Sequence, residues 1–157
     1  MLINELTKLD REWVSERTEL LFGGEFVVSR EVVHNPAELP GFVVSEGHDR
    51  IGITTYNIVE DECELVTIDS LCQWQGVGSI LLEAVEKVAK DAGCKTLWTI
   101  TSNDNLDALR FLQRRGFVIK EVRVGIAEQI RMMKPGMQEI GHYNIPVRDE
   151  IELIKSL

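Results

Sequence analysis

Long apolar runs are missing from this chain of 157 residues. None approaches the ~18 consecutive apolar residues that a spanning helix needs, so no membrane partner is expected. Met1 to Asp10 alternate apolar with polar residues and hold no signal-peptide core, which predicts a cytoplasmic protein. Positive charge is scarce. Lys and Arg number 17 against 26 Asp and Glu, a net charge of −9. Nucleic-acid binding rests on phosphate neutralisation, and this balance opposes it. The three cysteines, Cys63, Cys72 and Cys94, are odd in number and lack Cys-x-x-Cys spacing. That argues against a disulfide framework or a zinc knuckle. His34, His48 and His142 are scattered, with no pair at metal-ligand spacing, so no metal is expected.

What is present is ordinary globular material: 44% hydrophobic and 27% charged residues. The length suits one domain over residues 1–157, with a core at about 25–125 and a tail at 126–157 of unassigned role. Leu2, Leu6, Leu9, Trp13, Arg17 and Leu20 recur at helical spacing, and Gly23-Gly24 closes that pattern. Short β-type runs follow at 25–29, Val32–His34, 41–45, 51–59 and Glu62–Ser70, a pattern that favours an antiparallel meander. The period then changes. Val77, Leu81, Ala84, Val88 and Ala92 form a helical stripe ending at Gly93. A strand is predicted at 95–101, then a helix through Ala108, Leu109, Phe111 and Leu112 that ends at Gly116, then a strand at 117–124. Ile126–Met133 reads as a short helix before Pro135-Gly136. Hairpins followed by strand–helix alternation predict a mixed, mostly antiparallel α/β (α+β) sheet with flanking helices.

The chemically informative junction runs from the strand at Glu62–Ser70 into Gln73-Trp74-Gln75-Gly76-Val77-Gly78-Ser79, which opens a helix. A helix N-terminus leaves backbone N–H groups unpaired and partly positive, and glycines let an anion approach them. It is not a Rossmann fingerprint, because the third glycine is missing, and no Gly-Lys-Ser/Thr makes it a P-loop. A lone Gly-x-Gly at this place also fits a plain tight turn.

A second segment adds to it. Gln73, Gly76 and Gly78 fit Arg/Gln-x-x-Gly-x-Gly/Ala, and Asn105, Ala108, Phe111, Gly116 and Phe117 fit Asn-x-x-Ala-x-x-aromatic followed by Gly-Phe. Together these resemble the GNAT superfamily of acetyl-CoA-dependent N-acetyltransferases, over about residues 51–122. The resemblance implies a bacterial-type fold with a splayed pair of parallel strands, and acetyl-CoA as cosubstrate in the cleft between them. It implies that backbone groups of Val66 and Ile68 hold the pantetheine arm. The diphosphate is expected on Gln73, Trp74, Gln75, Gly76, Val77, Gly78 and Ser79. Asn103 and Asn105 are expected to touch the cofactor from the far wall, with Phe111 packed near it. The acceptor is an unidentified primary amine, and the chain is expected as a monomer or homodimer.

An amine must lose a proton before it attacks a thioester. Glu64 is the favoured base, placed on the cofactor strand and, by simple alternation, on one face with Val66 and Ile68. Asp69 and Glu62 are weaker candidates. The family's usual tyrosine after the helix aromatic is Leu112 here, so Tyr143, Tyr56 or water would have to protonate the leaving thiolate. That substitution also admits an alternative: a weak or inactive module that binds or senses acyl-CoA.

Overall fold

The structure, a computed structural model, describes residues 1–72 and 75–157. Its strands are β1 (Leu2–Glu5), β2 (Val27–Ser29), β3 (Val32–His34), β4 (Gly41–Glu46), β5 (Asp49–Val59), β6 (Glu62–Ser70), β7 (Thr96–Ser102), β8 (Val118–Arg123) and β9 (Glu150–Ser156). The helices are α1 (Arg11–Phe22), α2 (Val77–Asp91), α3 (Leu106–Arg114) and α4 (Ile126–Met133). Seven strands form one sheet in the order β1-β4-β5-β6-β7-β9-β8, and β2 and β3 pair as a separate hairpin. Among the described residues, only β6 and β7 run parallel in that sheet. No helix of the described residues is long and apolar enough to cross a membrane.

The N-terminal stripe does not form one helix. Residues 2–5 pair with β4, and Thr7 and Asp10 close a capping box that opens a short 3-10 turn before α1. Leu9 and Leu20, placed on the expected apolar face, are 87% and 68% exposed, whereas Val14 and Thr18 are buried. The helical spacing of Leu2, Leu6 and Leu9 is a coincidence that the cap overrides.

Helix α2 presents Leu82, Val85 and Ala89 to Cys63, Leu65 and Leu97 of the two parallel strands, and Leu112 and Phe117 complete that core. Burial pushes the Cys63 thiol up to about 12, which makes it an inert core group. Residues 126–157, left without a role by the sequence pattern, supply α4 and the inner strand β9. Leu153 and Glu152 of β9 are almost wholly buried between β7 and β8.

The β2–β3 hairpin turns through Arg30 and Glu31, both non-glycine residues at positive φ (48° and 65°). Such a conformation persists where surrounding contacts over-determine it. Here the Arg30 guanidinium bonds Glu152 of β9, pairs with Glu62 of β6 and lies over the Trp98 ring of β7. The hairpin is thereby pinned across three strands of the main sheet.

Candidate active site

Strands β6 and β7 pair only through Glu62–Thr96, Cys63–Leu97 and Glu64–Trp98. Beyond that point the Thr99 hydroxyl, not a backbone amide, donates to the Leu65 carbonyl at 2.8 Å. Strand β7 turns to β9, β6 stays with β5, and their C-terminal ends part. The edge of β6 after Glu64 is left with backbone groups that no neighbouring strand takes up, which suits an extended ligand laid along it. A cleft of about 670 Å³ opens there, with Glu64 and Val66 of β6 and residues 100–102 of β7 in its walls.

Register explains how β6 serves two faces. Tyr56 opposes Leu65 and Thr55 opposes Thr67, so Val66 is an extra, bulged residue. The bulge breaks alternation. Cys63, Leu65 and Ile68 face the α2 core, whereas Glu64 and Val66 face the cleft. The expectation that Glu64, Val66 and Ile68 share one face is therefore corrected. The Ile68 side chain packs beneath α2, which leaves only its backbone for any ligand.

Glu64 is 4% exposed. The Ser29 hydroxyl donates to its Oε2 at 2.6 Å, and His34 Nε2 lies 3.1 Å from its Oε1. Burial pushes the Glu64 carboxyl above the ordinary range, outweighing the opposing pull of Ser29 and His34. A carboxylate so placed is a competent base, and Ser29 lines the same cleft. Neither Ser29 nor His34 is marked by the sequence, because the hairpin that carries them meets β6 only in the folded chain. The weaker candidates are otherwise engaged: Asp69 pairs with Arg17 at 2.7 Å and Glu62 with Arg30 at 3.3 Å.

The other sequence candidates fall at three places. Gln73 and Trp74 lie outside the described residues. Gln75 and Gly76 form the turn before α2, and Gly76 is its N-cap at φ 81° with no side chain capping the helix. A Cβ built at Gly76 meets nothing within 4 Å, and the first turn carries no acidic residue. That is an open, uncapped, partly positive helix end, which fits a diphosphate. Val77 is buried, so its backbone alone is available there. Phe111 packs so closely on Gly78 that an added Cβ would lie 2.9 Å from its ring. Arg115 stacks on the Phe111 ring and donates to the Ser79 hydroxyl at 2.6 Å, bringing a cation to the same helix end.

Asn105 caps α3, its side-chain oxygen accepting from the Ala108 N–H, and it lines the cleft. The Asn103 amide is committed elsewhere. It donates to the Pro146 carbonyl and accepts from the N–H groups of Arg148 and Asp149, tying down the approach to β9. Tyr143 is 64% exposed and outside the cleft walls, with its hydroxyl donating to Asp107 at 2.7 Å. That bond pushes the phenol pKa up and makes it a poorer acid. Tyr56 stacks with Phe42 against the α2 core. Leu112 is 3% exposed and packs in the same core, away from the cleft. Among the described residues, no group of three or more His, Cys, Asp or Glu is placed to hold a metal ion.

Residues 5–117 match the profile of the acetyltransferase (GNAT) family. The chain belongs to that family. The GNAT chain is 32% identical over 151 residues to the uncharacterized protein YxbD of Bacillus subtilis (strain 168), covering 96% of this chain and 95% of that one. Its fold is similar to an IAA acetyltransferase from Bacillus cereus ATCC 14579, with a TM-score of 0.79 and 23% identity over 99% of both chains. A GNAT family acetyltransferase from Elizabethkingia anophelis, solved with acetyl-CoA bound, is similar at a TM-score of 0.67 and 24% identity over 76% of each chain. At these identities the two structures speak for the fold, and they match the mixed sheet with its parallel pair.

Proposed function

We propose that this GNAT protein moves an acetyl group from acetyl-CoA to a primary amine by direct attack. The observation that carries the reading is Glu64, a buried carboxylate on the cleft wall where β6 loses its neighbour. Acetyl-CoA supplies an activated acyl carbon as a thioester. The open end of α2 suits the diphosphate, and the free backbone edge at Val66 to Ile68 suits the pantetheine arm. Glu64 takes a proton from the incoming ammonium, whose ordinary pKa near 10.4 otherwise keeps it unreactive. His34 and Ser29 hold both carboxylate oxygens in place while it does so. Attack forms the C–N bond, the C–S bond breaks, and the second proton of the amine passes through solvent to the departing CoA thiolate, giving the free thiol. A thiol of ordinary pKa about 8.5 leaves without a positioned acid.

Leu112, the feature that admits a catalytically silent acyl-CoA sensor, packs in the α2 core. The test is release of CoA thiol from acetyl-CoA against a panel of primary amines. Thiol release that needs an amine and falls sharply in Glu64→Gln supports the reading. Tight CoA binding with no amine-dependent release overturns it in favour of a binding module.

A further inference from the structure

Lys134 follows α4 and is 5% exposed. It lines the same cleft as Glu64. The wall that holds it depends on a close approach of two glycines: an added Cβ at Gly23, which ends α1 at φ 73°, would lie 2.5 Å from the Gly136 carbonyl. This draws the end of α1 and the loop after α4 together. The Lys134 ammonium then sits 5.8 Å from the Phe22 ring and 5.2 Å from the Phe26 ring. Among the described residues it has no hydrogen bond and no carboxylate partner. Burial alone lowers its pKa, to about 8, so it stays largely protonated at pH 7.

The acidic groups of the cleft are in the opposite position. Glu64 has Ser29 and His34, Asp104 accepts from the backbone and ring of His142 through Oδ2 while its Oδ1 has no hydrogen-bond partner among the described residues, Asp149 accepts from the Gly125 N–H, and Glu150 lies 3.8 Å from Arg123; Glu19, the remaining carboxylate of the lining, is exposed. Lys134 is thus the buried charged residue of the cleft whose charged group has neither a hydrogen bond nor an ion pair among the described residues. A buried charge without a counter-ion is costly, and two phenyl rings compensate only in part. The site is completed by an anion brought in with the substrate. One ammonium among several carboxylates suits a monoanion and would reject a dianion such as phosphate.

We propose that Lys134 binds a carboxylate of the acceptor, so that the acceptor is an amino acid-like molecule carrying both an amine and a carboxylate. This rests on the acetyl-transfer reading, with the amine directed to Glu64 and the carboxylate to Lys134. Lys134 is a specificity residue in this scheme and takes no part in proton transfer.

The test uses the full chain saturated with CoA, titrated with free L-amino acids and with the same amino acids as carboxamides. Binding is followed by thermal shift, and the Lys134 ammonium by NMR of lysine labelled at Cε. At least one free amino acid should bind about tenfold or more tightly than its amide. It should also move the Lys134 titration midpoint above its starting value of about 8. In Lys134→Met the acid-to-amide ratio should collapse towards one, whereas Lys134→Arg should retain it. Equal binding of acid and amide, a preference that survives in Lys134→Met, or no binding by any of the amino acids overturns the proposal. If Lys134→Met fails to fold, the Lys134 titration in the native chain decides alone. Failure of CoA to bind or release thiol would sink the acetyl-transfer reading instead. The same amino-acid titration without CoA would still report on the carboxylate site.

Discussion

The Arg30 guanidinium lies 3.7 Å from the centre of the Trp98 ring, and this stack fixes a hairpin that belongs to no other sheet. The same guanidinium reaches Glu152, a carboxylate 1% exposed. Burial works against the Glu152 charge, but the hydrogen bond from Arg30 and the charges of Arg30, Arg123 and Lys120 outweigh it and hold its pKa down. Arg30→Ala should therefore cost about 1.5–3 kcal/mol, the range for a hydrogen bond to a charged group. It should also lower kcat, because Ser29 and His34 ride on the loosened hairpin, while the thermal shift given by CoA persists. The depressed Glu152 pKa contributes stability above the unfolded carboxylate value, and that stability disappears as pH falls through the folded value. Thermal melts below about pH 5 should show a shallower acid-side loss in Arg30→Ala than in the native chain. An intact acid limb together with unchanged kcat would refute the anchoring role.

Glu64 has the opposite sign. Its folded pKa is raised, so the carboxylate costs stability as pH rises through that value, while the base form needed for attack appears over the same window. The acid limb of kcat/KM should therefore lie above the ordinary carboxylate range. Ser29→Ala removes a donor that favours the charged form, and should move that limb further up. Glu64→Gln should reduce kcat by about a hundredfold to ten-thousandfold. A pH–rate profile that Ser29→Ala leaves in place would separate Ser29 from the base.

Much of this fold is legible in the sequence, and the exceptions have physical causes. Strand β6 and helices α2 and α3 emerge from strong period-2 and period-3.6 patterns with glycine and asparagine at their ends. Strand β1 was hidden because Leu2, Leu6 and Leu9 mimic helical spacing, although Thr7 and Asp10 carry the cap that marks the true start. Strand β9 was hidden by its charges. Glu152 reads as a surface residue until three cations from β2–β3 and β8 are brought to it by the fold. In the site, Glu64 is visible from its strand position. The bulge at Val66 is not, since no glycine marks it, and it alone decides that Ile68 turns away from the cleft. Ser29 and His34 lie 35 and 30 residues from Glu64, a meeting that local pattern does not encode.

Gly76 offers a separate test of the cofactor end. Its backbone is left-handed, a conformation that aspartate tolerates better than most residues, and a side chain there meets open space. An aspartate at the N-cap is also favourable to the helix dipole. Gly76→Asp should thus stay folded while placing a negative charge in the anion site. Saturating CoA, at about a hundred times its dissociation constant, stabilises a binding protein by roughly 2.7 kcal/mol. The native chain should show that thermal shift, and Gly76→Asp should lose it. A folded Gly76→Asp that CoA still stabilises fully would mean that the diphosphate is held elsewhere.

Leu112→Tyr asks whether this position can be returned to acid catalysis. Leu112 is 3% exposed, among Leu82, Val85, Leu97 and Phe117 on the side of β6 away from the Glu64 face. A tyrosine there must find room for a ring and a partner for its hydroxyl in a core already filled. Overpacking costs about 1–3 kcal/mol, and an unsatisfied buried hydroxyl adds to it. The expected outcome is a lower melting temperature with no gain in turnover, both measured on the same preparation. The neighbouring Phe111 ring lies against Gly78, so displacement of α3 should also weaken the CoA thermal shift. A stable Leu112→Tyr variant with raised turnover would place its phenol at the departing thiolate, and would show that α3 rolls towards the cleft when the cofactor is bound.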